Sequence, residues 1–329
     1  MTDLMFPLGL ASGVTCLALL VFLNTRAREW IRDYPNARSL HASPVPRIGG
    51  AAIWLGVAAG WYVVREDAFM RLFLALAPVL AISLLDDFKS ISPMWRLLVQ
   101  AGVAVLVLGV MTSGPWSWIG YAGAVLLLIW SANLYNFMDG IDGLAGGMAL
   151  FGFSGYAIAA GLAGNVGLMV LCGTVSAAAA AFLLLNFHPA KVFMGDVGSV
   201  PLGLLAGLVG ILGVREAIWP VWFPFTIFSV FFVDATVTLL KRAWCGEALW
   251  RAHRDHYYQR LARMGWGHRN TALVCYAAML ISILAALLAR TATDVVQQFI
   301  VIGISVCYAA GLIYVDRRWH AFNSEARHD

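Results

Sequence analysis

Five aspartates stand where they could hold a cation against a phosphate. They are Asp86 and Asp87 in LLDDFKS, Asp139 and Asp142 in NLYNFMDGIDGLAGG, and Asp196 in NFHPAKVFMGDVGS. Carboxylates gathered in one place repel unless a cation joins them. Oxygen donors with few sulfur or imidazole partners suit Mg²⁺, which keeps some of its water and bridges protein carboxylates to substrate phosphates. Taken singly, each acid reads as an ordinary solvated residue at a helix end. The recurrence in three segments, two of them rich in glycine, favours a shared site. Gly140, Gly143, Gly146 and Gly147, and Gly195 and Gly198 around Asp196, allow the backbone to approach a phosphate closely. A helix starting beside such glycines offers N–H groups to an anion.

Two basic stretches accompany the acids, DYPNARSLHASPVPRIGG at 33–50 and RAHRDHYYQRL at 251–261. Arg254 beside His253 suits a diphosphate clamp. His253 and His256 could be read as a zinc pair, but no third His or Cys ligand lies nearby and Cys245 is unsupported. A juxtamembrane basic loop touching anionic lipid is the plainer alternative.

The elements that must position these residues are membrane spans. The chain of 329 residues is 61% hydrophobic and only 12% charged, against about 45–50% and about 25% in soluble domains. Apolar runs near 5–23, 48–64, 69–85, 97–112, 116–133, 147–163, 165–185, 200–214, 218–238, 271–289 and 296–314 approach the roughly 20 residues that cross a bilayer. The fold class expected is an all-α integral membrane protein, a polytopic bundle of about 11 transmembrane helices in one domain over 1–329. Ten is the alternative count, because the 200–214 run is short and the break at 163–165 tight. Continuous apolar runs exclude the alternation of a spanning barrel. The first run lacks a basic leader and a small-residue cleavage site, so it reads as a retained helix. The five cysteines, Cys16, Cys172, Cys245, Cys275 and Cys307, form no CxxC pair and read as packing residues.

Orientation follows from the cations. Eighteen of the 22 Lys and Arg residues fall in one set of alternating loops, which the positive-inside rule places in the cytoplasm. The N-terminus is then outside and the C-terminus inside. The loops near 24–47, 86–96, 134–146, 186–199 and 241–270 become the cytoplasmic catalytic loops, and all five aspartates face inward. The net charge of +4 reflects this topology and is weak ground for a nucleic-acid partner. Asp234 is the one acid well inside a span. It is a functional candidate by default, or else a carboxyl hydrogen-bonded between packed helices.

With these motifs in order, the chain resembles the polyprenyl-phosphate N-acetylhexosamine-1-phosphate transferase family. The matching patterns are DxPNxRSxHxxPxPRxGG at 33–50, DDxxxxSPxxRxxxQ at 86–100, NxxNxxDGxDGLA at 133–145, FMGDxGS at 193–199 and HRxH at 253–256. The resemblance implies transfer of a HexNAc 1-phosphate from a UDP-HexNAc to undecaprenyl phosphate, with release of UMP, at the bacterial inner membrane. It implies Mg²⁺ (Mn²⁺ serving in its place) held by Asp196 and Asn136, and catalytic roles for Asp86 and Asp87. Phe193 would stack on the uracil, and Arg96 and Arg254 would hold phosphates. His41, Arg47, Asn133, Asp139, Asp142, His253 and His256 would complete the substrate-binding set. The related peptidoglycan translocase carries three consecutive histidines in the late loop, where this chain has His253, Arg254, Asp255 and His256. That departure argues against a muramyl-pentapeptide donor, and the HRDHYYQRL and RSLHASPVPR forms resemble O-antigen-initiating transferases that take GlcNAc or a 6-deoxy HexNAc such as FucNAc or QuiNAc. Direct attack by the lipid phosphate is favoured over a phospho-aspartate, since that phosphate is already an anion at neutral pH. A multi-helix transporter is the rival class, although transporter sites lie near the bilayer midplane and these acids sit at helix ends. Gly56/Gly60 and Gly203/Gly207 could pack helices within one chain or between two, as in a homodimer.

Overall fold

A computed structural model describes residues 2–33, 44–248 and 253–325. It is a helical bundle: α1 Thr2–Asn24, α2 Ala27–Trp30, α3 Gly49–Val64, α4 Asp67–Phe88, α5 Pro93–Met111, α6 Trp118–Phe137, α7 Leu144–Leu162, α8 Val166–Asn186 and α9 Asp196–Arg215. Then come α10 Trp222–Ile227, α11 Ser229–Trp244, the short α12 Tyr257–Leu261, α13 Gly267–Ala289 and α14 Asp294–Glu325. A two-residue antiparallel ladder pairs β1 Arg32–Asp33 with β2 Val45–Pro46. Among the described residues, nine helical stretches are long and apolar enough to cross a membrane, and α3 is a shorter apolar helix. Every apolar run expected from the sequence is helical. The run at 218–238 differs in being broken: α10 stops at Ile227, and the chain turns at Phe228 before α11 starts at Ser229. Pro220 and Pro224, which lack the N–H that would bond back to residues 216 and 220, account for the late start of α10 at Trp222.

Helix α9 is the most enclosed and α14 the least. Small residues set the closest approaches, as expected where lipid removes the hydrophobic drive between helices. A Cβ on Gly203 of α9 would stand 2.4 Å from the Ser131 carbonyl of α6, and one on Gly56 of α3 would stand 2.0 Å from Thr15 Oγ1 of α1. Both small-residue pairs therefore pack helices within this chain. The helix ends fall into two groups. At one end Arg215 lies over the Trp116 ring and donates to the Ser113 carbonyl, while Asn165 donates to Glu216. At the other end the segments carrying Asp86, Asp87, Asn136, Asp139, Asp142 and Asp196 converge.

Candidate active site

The site is built around the start of α9. The Asp196 and Val197 N–H groups donate to Asp87 Oδ1 and Oδ2, each at 3.0 Å. The helix N-terminus offers N–H groups as the glycine pattern predicts, but the anion that takes them is the protein's own Asp87. Gly195, with φ +73°, makes the turn possible, and a Cβ there would meet Asp87 Oδ2 at 2.8 Å. Arg96, on the first turn of α5, bridges two acids: its Nη1 lies 2.7 Å from Asp86 Oδ2 and 2.9 Å from Asp196 Oδ2. Asp86 also accepts from the Ile91 N–H at 2.6 Å. One guanidinium thus holds together the ends of α4, α5 and α9.

The segment 45–50 is zipped to 193–194. Phe193 N–H donates to the Pro46 carbonyl, Gly49 N–H to Phe193 and Gly50 N–H to Met194. Arg47 is carried in by this pairing. It binds Asp33 at 2.9 Å. Burial works against its charge, but Asp33, with Asp87 and Asp196, more than offsets that and holds Arg47 above its usual range. Phe193 is half-buried at the edge of this seam. His41 lies outside the described residues.

Asp139 has no hydrogen-bond partner for its carboxylate among the described residues. Burial, and then the charges of Asp87 and Asp33 against the pull of Arg47, hold its carboxyl up at about 7. Asn136 Oδ1 accepts from Ser199 Oγ at 2.6 Å, which ties α6 to the first turn of α9. Asp87, Asp139, Asp196 and Asn136 offer oxygen ligands of the kind a hard divalent cation takes, although among the described residues the three carboxylates are not drawn to metal-ligand spacing and Asp139 has no ion pair. Asn133 donates to Gln100 Oε1 at 2.7 Å and to the Ile129 carbonyl, so its amide N–H groups are engaged within the bundle.

Asp142 is clasped separately. His188 Nδ1 lies 2.6 Å from Oδ2, the Ala190 N–H donates to the same oxygen at 3.1 Å, and His268 Nδ1 lies 3.0 Å from Oδ1. Burial pushes this carboxyl up, but the bonds from His268 and His188 outweigh it and hold the group below the usual range. Asn186 repeats the clasp, accepting from the Gly143 N–H and donating to the Val192 carbonyl. The loop 187–193 is pinned by both. Among the described residues the cluster with metal-ligand spacing is Asp142, His188 and His268. Sequence reasoning missed both histidines. Their only signal was a His near each of two motifs, and 46 and 126 residues of separation hide the contact with Asp142.

The HRDH segment docks on the same face. Asp234 accepts from the Tyr257 and Tyr258 N–H groups at 2.9 Å each, from Thr238, and lies 3.2 Å from His256 Nδ1. Asp234 therefore fixes the late loop to α11. His256 stacks on Phe137 and lies tilted against His253, and Tyr258 Oη donates to the Phe137 carbonyl. Phe137 ends α6, two residues before Asp139. Burial, then His256 and Arg242, hold His253 down at about 4, so its ring is neutral at pH 7. The two rings are engaged with each other and with Asp234, and neither belongs to the cluster with metal-ligand spacing. Burial and the nearby Arg263 lower Arg254, whose carbonyl accepts from Arg263.

Residues 69–214 match the Glycosyl transferase family 4. The chain is 30% identical over 286 residues to a probable undecaprenyl-phosphate N-acetylglucosaminyl 1-phosphate transferase of Bacillus subtilis, covering 82% of this chain and 80% of the relative. It is 30% identical over 301 residues to the undecaprenyl-phosphate alpha-N-acetylglucosaminyl 1-phosphate transferase of Escherichia coli K12, covering 84% and 79%. The phospho-N-acetylmuramoyl-pentapeptide-transferase of Gloeothece citriformis is also 30% identical over 300 residues, covering 80% and 79%. With the aspartate segments assembled at one end of a polytopic bundle, the chain belongs to the polyprenyl-phosphate N-acetylhexosamine-1-phosphate transferase family.

Proposed function

We propose that the protein transfers a HexNAc 1-phosphate from a UDP-HexNAc to undecaprenyl phosphate, releasing UMP, at the cytoplasmic face of a bacterial inner membrane. The donor is GlcNAc-type or a 6-deoxy HexNAc, and the product begins an O-antigen or related surface polysaccharide. The observation that carries this reading is the meeting of Asp86 and Asp196 on Arg96, with Asp87 bound to the Asp196 N–H and Asp139 close enough to feel the charge of Asp87.

Phosphoryl transfer asks the protein mainly to position and to neutralise charge. Asp196, Asp139 and Asn136 would hold Mg²⁺, with Asp87 oriented beside them by the α9 N–H groups. A bound Mg²⁺ supplies charge stabilisation for the diphosphate and for the departing UMP. Arg47 and Arg96 add fixed positive charge at the same face. Phe193 offers a ring to the uracil from the seam between 45–50 and 193–194. The lipid phosphate oxygen attacks the sugar-linked β-phosphorus, the bond from that phosphorus to the bridging oxygen breaks, and the oxygen leaves with UMP. An apolar cavity of ≈ 300 Å³ between α6, α9 and the α10–α11 break supports a polyprenyl acceptor, because its lining reaches Tyr135, beside Asn136.

Purified protein with undecaprenyl phosphate, Mg²⁺ and a panel of UDP-HexNAc donors should release UMP with one donor preferred. Uptake of a solute into proteoliposomes, with no UMP from any donor, would decide for a transporter.

A further inference from the structure

A second and larger apolar cavity, ≈ 510 Å³, lies between α11, α13 and α14. Val230, Val274, Ala278, Ile304, Leu312 and Val315 are among its walls. Tyr308 and Asp234, which reach it, are satisfied by protein. Tyr308 Oη lies 2.8 Å from Ser229 Oγ and 3.2 Å from Ser282 Oγ, and Asp234 is saturated by the Tyr257 and Tyr258 N–H groups, Thr238 and His256. Water has few partners left there. The space opens beside α14, the least enclosed of the spans, so lipid hydrocarbon has access to it.

The cavity continues into a small pocket of ≈ 100 Å³. The two share Leu261, Trp266 and Tyr314, and the small pocket adds Arg318 of α14. Of the cations nearby, Lys241 and Arg260 bind Asp316 and Arg263 lies over the Trp319 ring, while Arg317 does not line the pocket. Arg318 has no hydrogen bond or ion pair among the described residues, although Glu325 lines the same pocket. An apolar slot ending at an unpaired guanidinium and a tryptophan matches an acyl chain with an anionic head at the membrane interface.

We infer that this crevice is a binding site for an anionic bilayer phospholipid, with an acyl chain between α13 and α14 and its phosphate at Arg318. The acceptor lipid is the poorer occupant. None of Asp86, Asp87, Asp139 or Asp196 lines either space, so a polyprenyl phosphate held at Arg318 would lie against α14 rather than among the reacting groups. The phospholipid would instead brace Tyr257 and Tyr258, which line the cavity and carry the HRDH segment.

Native mass spectrometry of the full-length protein from nanodiscs of phosphatidylcholine mixed with phosphatidylglycerol provides the test. Wild type should retain phosphatidylglycerol selectively. Arg318→Gln should lose that selectivity severalfold, and Gly303→Leu, which fills the apolar slot from α14, should lose bound lipid altogether. Both variants should keep the wild-type melting temperature within a few degrees, which separates lipid loss from misfolding. Unchanged retention by either folded variant would overturn the site. So would displacement of phosphatidylglycerol, one for one, by added undecaprenyl phosphate, which would assign the crevice to the acceptor. These outcomes do not depend on whether UMP is released, so the lipid site and the proposed reaction can fail separately.

Discussion

At the scale of single residues, the site is an oxygen-rich cluster in which each carboxylate has a different partner. Asp87 is held by two N–H groups, Asp86 and Asp196 share Arg96, and the Asp139 carboxylate has no hydrogen bond among the described residues. Asp196→Asn and Asp87→Asn should each lower turnover by about a hundredfold or more, the low end for removing an electrostatic or metal contact. Asp196→Asn should insert and purify normally, being nearly isosteric, whereas the Asp87→Asn amide turns an NH2 toward one of the two α9 N–H groups and should also lower the melting temperature. Steady-state UMP release checks this, and near wild-type turnover in either variant would remove that residue from the reaction. EDTA should abolish activity and Mg²⁺ or Mn²⁺ should restore it, with Ca²⁺ serving poorly because it prefers a looser shell. A metal taken up by Asp139 would displace a proton from a carboxyl held at about 7, so apparent Mg²⁺ affinity should weaken as pH falls through that value. An affinity independent of pH would take Asp139 out of the metal set. The aspartates were legible in the sequence because each motif is short and contiguous. Their partners were not: Arg96 meets Asp196 across 100 residues, and His268 meets Asp142 across 126.

At the scale of elements, the sequence predicts the spans well because membrane helices announce themselves by composition. It does not predict how they are held at the site. Asp234 looked equally like a catalytic acid and a packing carboxyl. Four donors now occupy it, which makes it the anchor of α12. The break at Phe228 was hidden inside a continuous apolar run, where hydropathy carries no phase. The crossing of α3 and α9 depends on glycine: a Cβ on Gly50 would fall 2.3 Å from the Gly198 nitrogen and 2.4 Å from its Cα. Backbone cannot step aside as a side chain can, so Gly50→Ala should push the 45–50 seam off 193–194 and cost about 1–3 kcal/mol, the range for overpacking. A lowered melting temperature together with lost turnover is expected, and a variant that melts and turns over like wild type would show that the two helices have room.

At the scale of the whole molecule, the basic loops, the five aspartates and the HRDH segment belong to one end of the bundle, and few cations belong to the other. UDP-sugars are made in the cytoplasm, so the account requires that end to face inward. Impermeant thiol labelling on a background without native cysteines should modify a cysteine at Asp67 in intact cells, and cysteines at Ser90 and Gln259 only after the inner face is opened. Labelling of either of the latter from outside would reverse the orientation. Whether phosphate travels with the sugar is read from the fate of the β-phosphorus. Purified protein given UDP-GlcNAc, or the donor it prefers, labelled in the β-phosphate should place the label in the undecaprenyl lipid and release unlabelled UMP in equal amount. Label retained in released UDP would mean that only the sugar moves, and would contradict the account.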